Sequence, residues 1–136
     1  MKKIIVAGIL FSLVLFAFGT AFAATPDPDN PASLPYRNKS FSIKTYTYTP
    51  AFAPSKTVTG AISGVSFEID RDYTLYVNWL RWKPDTAVWV SAKSYSFTNF
   101  SSCGFELPST SGNIYTLKLS KTEYTGYKLS GNVSVY

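Results

Sequence analysis

From residue 40 to the end the chain runs in short stretches that alternate apolar and polar side chains, broken by proline, glycine and small polar turn residues. A period of two sends successive side chains to opposite faces of an extended backbone, so each stretch predicts a strand with one buried face. Residues 40–49 set Phe41 and Ile43 against Lys44, Tyr46 and Tyr48 and stop at Pro50. Residues 57–70 bring Val65, Phe67 and Ile69 into phase, with Gly60 and Gly64 predicting a bulge or bend. Residues 72–83 and 86–99 are the longest predicted strands; 104–107, 113–120 and 123–136 complete the set, the last predicted to bend or split at Gly131. No stretch sustains the 3.6-residue apolar period of a helix. Short strands joined by hairpin-length loops predict an all-β fold, a small antiparallel β-sandwich, with a small closed barrel as the alternative. An outer-membrane barrel fits poorly, because Asn132 and Ser134 are polar where a lipid-facing row ending at Tyr136 has to be apolar.

Lys83-Pro84-Asp85-Thr86 carries the turn chemistry that joins the two longest strands: proline presets the backbone and aspartate suits the next position. Pairing Trp82 with Ala87 across this hairpin sets Leu80 opposite Trp89 and Tyr76 opposite Lys93. One resulting face holds Tyr73, Leu75, Val77, Trp79, Val88, Val90 and Ala92, with Arg81 at its end, and is the predicted core. The other mixes Thr74, Tyr76, Asn78, Leu80 and Trp82 with Ala87, Trp89, Ser91, Lys93 and Tyr95. Two readings of this mixed face stand side by side. In one, a neighbouring strand or the N-terminal leader covers the rings, and the indole N–H groups find local acceptors. In the other the face is open, and Tyr76, Leu80, Trp82, Trp89, Lys93 and Tyr95 form a recognition surface for a protein, for a second copy of the chain, or for a sugar ring.

The N-terminal segment breaks the strand pattern. Lys2-Lys3, an apolar run from Ile4 to Phe18 and the small-residue exit Ala21-Phe22-Ala23 have the order of a secretory signal peptide over residues 1–23. The apolar run falls short of the roughly 20 residues that span a bilayer, and no cysteine follows the exit for lipid attachment. The expectation is therefore an exported protein, periplasmic, at the cell surface or secreted, with no stable membrane insertion after cleavage. Prolines at 26, 28, 31 and 35 predict a stiff, exposed leader over 24–39, followed by a single β domain over 40–136.

Composition changes this picture in three ways. Net charge is +5 for the whole chain, but without Lys2 and Lys3 it is about +3, which together with export argues against a nucleic-acid partner. Cys103 is the single cysteine, so no internal disulfide forms, and its expected role is a small buried apolar residue, with an intermolecular disulfide or reactive thiol as the alternative. The chain has no histidine, which removes the commonest general base and most zinc sites. A small carboxylate-dependent hydrolase remains the catalytic alternative, since Glu68, Asp70, Asp72, Asp85, Glu106 and Glu123 are present, but a domain this small offers little cleft. Glu68, Asp70 and Asp72 alternate like a calcium site, yet Arg71 between them and a strand end entering a turn favour solvated acids. No cofactor motif occurs. The expectation is a non-catalytic domain that acts by protein binding or assembly, with a carbohydrate-binding module as the alternative.

Overall fold

The computed structural model describes residues 24–136; the predicted signal peptide lies outside the described residues. Eight strands follow in order: β1 (Tyr36–Ile43), β2 (Tyr46–Tyr48), β3 (Val58–Phe67), β4 (Thr74–Lys83), β5 (Val88–Thr98), β6 (Cys103–Leu107), β7 (Tyr115–Ser120) and β8 (Leu129–Val135). They form two four-stranded sheets, β1-β8-β3-β6 and β2-β7-β4-β5. Every strand ladder is antiparallel. The sheets stay separate and packed face to face, so the fold is the expected sandwich and not a closed barrel. Connections cross from sheet to sheet everywhere except the β4–β5 hairpin, which produces the jelly-roll strand order. Among the described residues no helix is long and apolar enough to cross a membrane.

The core lies between the sheets. Leu75, Val77 and Trp79 of β4 and Leu117 and Leu119 of β7 are fully buried, facing Ile43, Ile62, Leu107, Leu129 and Val135 of the first sheet. Burial of each such side chain contributes about 1.5–3 kcal/mol. Trp79 stacks on Tyr115 with ring centroids 5.1 Å apart and planes 5° from parallel, and its Nε1 donates to the Pro108 carbonyl at 2.9 Å. Where β5 and β6 form the open side of the sandwich, Tyr95, Phe97, Phe105, Phe100 and Tyr73 make a continuous run of ring contacts. The Tyr95 hydroxyl donates to the Glu106 carbonyl at 2.6 Å, which ties the two sheets together along this side.

Several elements depart from the pattern read along the sequence. The predicted strand 40–49 is two strands in different sheets, because the chain turns across the sandwich at Lys44–Thr45. β1 begins at Tyr36 and passes a bulge whose Asn38 has φ 50°. The leader is not wholly free: the Ala32 N–H donates to the Ala51 carbonyl at 2.7 Å, and Ala32 and Leu34 pack against the core. Gly64, with φ 60°, does sit in a bulge of β3. Gly131 marks no break in β8; a Cβ there would stand 2.9 Å from the Phe41 ring, so close ring approach is what requires glycine.

Candidate functional site

The β4–β5 hairpin sets the site, and its register differs from the expected one. Trp82 pairs with Trp89, Arg81 with Val90 and Leu80 with Ser91, so the loop is Pro84 to Ala87, with Ala87 at φ 54°. Between Leu80 and Trp79 the register slips by one more residue, because Ala92 is an extra residue of β5, and Trp79 then pairs with Lys93. A one-residue bulge inverts the facing of everything beyond it. Tyr76 therefore faces Ser96 and Asn78 faces Ser94, while Tyr95 pairs with Val77. Tyr95 and Lys93 belong to the inner side, where Tyr95 enters the aromatic seam and the exposed Lys93 places its Nζ 5.5 Å from the Tyr95 ring centroid. The six predicted site residues are thus divided: Tyr76, Leu80, Trp82 and Trp89 share the outer face, and Lys93 and Tyr95 do not. Of the predicted core positions at the hairpin, Val88 is 45% exposed and Ala92 is exposed in the bulge.

The outer face can be followed row by row across the sheet. Tyr46, Ser120, Tyr76 and Ser96 form one row, and Tyr48, Lys118, Asn78 and Ser94 the next. Thr116, Leu80 and Ser91 follow, and Trp82 with Trp89 closes the series. Neighbouring strands stand about 4.8 Å apart, so the rows make a surface about 14 Å across. Tyr46 and Tyr76 are 45% and 41% exposed. The Lys118 ammonium lies 5.1 Å from the Tyr46 ring centroid and 5.8 Å from that of Tyr48, a cation held between two aromatic faces. Burial raises the Tyr48 phenol above its ordinary pKa, and neighbouring Tyr46 adds to the effect. Asn78 Oδ1 accepts from the Ser91 hydroxyl at 2.7 Å and from the Ser94 hydroxyl at 3.1 Å.

At the other end of the face the indoles of Trp82 and Trp89 meet at 5.2 Å with planes tilted by 59°, both half-buried. Leu80 beside them is covered, at 8% exposure. Trp89 Nε1 is buried and finds no hydrogen-bond partner among the described residues, which do not supply the local acceptor that full packing of this ring requires.

Tyr46, Tyr48 and Lys118 escaped the sequence reading as site residues. Alternation did put Lys44, Tyr46 and Tyr48 on one polar and aromatic face, but nothing in a single strand says which sheet it joins. The carboxylates lie elsewhere: Glu68 Oε2 accepts the Lys128 N–H at 2.7 Å and Asp72 Oδ1 accepts from Asn99 Nδ2 at 2.8 Å. Among the described residues no group of three His, Cys, Asp or Glu side chains is placed to hold a metal ion. Cys103 is a half-buried free thiol opposite Ile62, and burial pushes its pKa up, away from the reactive thiolate. Compared with known proteins, the chain matches no family model and no curated protein.

Proposed function

We propose that this is an exported, non-catalytic binding domain that acts in the periplasm or at the cell surface by assembling with protein, in the first instance with a second copy of itself, through the outer face of the β2-β7-β4-β5 sheet. The observation that carries the reading is the Trp82–Trp89 pair on a sheet face over which the described residues place no further strand. Solvent-facing strand positions ordinarily carry polar side chains, whereas paired indoles beside tyrosines are the residue types that dominate interface energy. Sedimentation velocity across a wide concentration range tests this. A concentration-dependent dimer that Trp82→Ala/Trp89→Ala converts to monomer supports the reading; a monomer at every concentration overturns self-assembly.

A second reading is favoured by the opposite half of the same face. Tyr46, Tyr48 and Tyr76 share their rows with Ser and Asn side chains and a single charge, Lys118, held against the Tyr46 and Tyr48 rings, and serine is depleted at protein interfaces. Flat rings beside hydroxyl and amide groups suit a neutral carbohydrate. Soluble oligosaccharides that raise the melting temperature, with the effect lost in Tyr46→Ala/Tyr48→Ala and kept in Trp82→Ala/Trp89→Ala, would favour sugar over protein.

A further inference from the structure

The geometry points to a second, separate binding site: a groove at the end of the sandwich, where β1 and β3 begin and β8 ends, that takes an amphiphilic monoanion, specifically a medium-chain fatty carboxylate. The groove has a volume of about 450 Å³, within the roughly 300–1,000 Å³ of small-molecule sites. Pro54 and Val58 are buried at its base, and Leu34, Pro35 and the Tyr136 ring form its apolar walls.

The backbone behind those walls is held in place before any ligand arrives, while the Tyr136 ring itself is 49% exposed. Tyr136 exchanges two main-chain hydrogen bonds with Thr59, at 2.7 and 2.9 Å. Leu34 is packed against the core, and proline at 35 and 54 restricts the backbone on both sides. A preorganised backbone spares a ligand the entropic cost of ordering it.

Charge selects the class of ligand. Arg37 and Lys56 line the groove; among the described residues no Asp or Glu side chain does, and the main-chain carboxylate of Tyr136, which accepts from the Thr59 N–H, offsets one of the two positive charges. The Arg37 guanidinium sits 5.4 Å from the Tyr136 ring centroid, which positions this cation over an apolar wall. An apolar trough with a surplus of one positive charge matches a molecule with an apolar body and a single anionic head; a sugar lacks the charge, and free phosphate lacks the body.

The site does not depend on the outer face, and one titration series separates the two. Decanoate, kept below its micelle concentration, is titrated calorimetrically into the purified protein, with decanol as the uncharged counterpart. The expected result is one decanoate per chain, with decanol at least tenfold weaker and Arg37→Gln/Lys56→Gln weakening decanoate at least tenfold at an unchanged circular dichroism spectrum. Trp82→Ala/Trp89→Ala leaves decanoate affinity unchanged. Absence of binding, equal affinity for decanol, or full affinity in Arg37→Gln/Lys56→Gln overturns the proposal. Loss of binding in the tryptophan variant instead does so too, by moving the ligand to the outer face.

Discussion

Two tryptophans three residues apart on β4, together with a third on β5, show how differently one side chain is used in this domain. Trp79 is fully buried, stacked on Tyr115, and its N–H is satisfied by the Pro108 carbonyl. Trp89 is half-buried on the outer face with its N–H enclosed and unpaired, a state that costs about 1–3 kcal/mol. The same replacement by phenylalanine therefore has opposite consequences. Trp79→Phe loses a hydrogen bond and leaves a void, and is expected to lower unfolding free energy by about 1–3 kcal/mol. Trp89→Phe removes the unpaired N–H along with some ring area, and is expected to stay within about 1 kcal/mol of the parent or exceed it. Urea unfolding of both variants checks this; a loss at Trp89 as large as that at Trp79 would show that the Trp89 indole is structural. A neutral Trp89→Phe would support the proposed contact role of the Trp89 indole, because the fold would then have no need of it.

At the scale of the element, the β4–β5 hairpin separates what alternation reveals from what it conceals. The inward set Leu75, Val77 and Trp79 is legible because three apolar residues at alternate positions have one way to be buried together. The pairing partner is not legible. Lys83-Pro84-Asp85-Thr86 correctly announces a turn, but the loop runs one residue further, through Ala87 in a left-handed conformation that no glycine or asparagine marks. The bulge at Ala92 is equally silent, and that single residue moves Lys93 and Tyr95 from the predicted recognition face to the inner side. Tyr46 and Tyr48 join the face only through the order of the sheet, a long-range property. The strained Ala87 makes a direct prediction. Ala87→Gly relieves a left-handed conformation that costs an L-residue about 1–2 kcal/mol, and after the added chain entropy of glycine it should raise stability by about 0.5–1 kcal/mol. A lowered urea midpoint would mean that Ala87 does not hold φ 54° in solution.

For the whole molecule, the absence of histidine leaves the half-buried phenols of three tyrosines and the Cys103 thiol, each raised by burial, as groups that couple stability to alkaline pH. Burial raises the phenols of Tyr36, Tyr48 and Tyr73 above their ordinary value, and the proton Tyr73 donates to the Phe100 carbonyl is lost on ionisation. These three lie at the leader junction, on the outer face and in the aromatic seam, so they report on widely separated parts of the fold. A group whose folded pKa exceeds its unfolded pKa contributes stability that is complete below the unfolded value, near 10, and is lost as pH rises through the folded value. Lys121 acts in the other direction. Its ammonium is buried against the Phe67 ring and donates to the carbonyls of Glu123 and Tyr124, and desolvation lowers its pKa. Its cost is present below that lowered pKa and is relieved as pH climbs toward the unfolded lysine value, near 10.4. The Cys103 thiol follows the same rule from a lower unfolded value, about 8.5, so in a Cys103→Ala background, which removes that titration, the urea midpoint should hold or rise slightly up to about pH 10 and then fall. Replacing Tyr36, Tyr48 and Tyr73 together by phenylalanine should flatten the fall, and should remove the latest part of the tyrosinate absorbance change at 295 nm. A midpoint that declines just as steeply in that variant would assign the alkaline loss to general charge repulsion instead of to these three half-buried phenols.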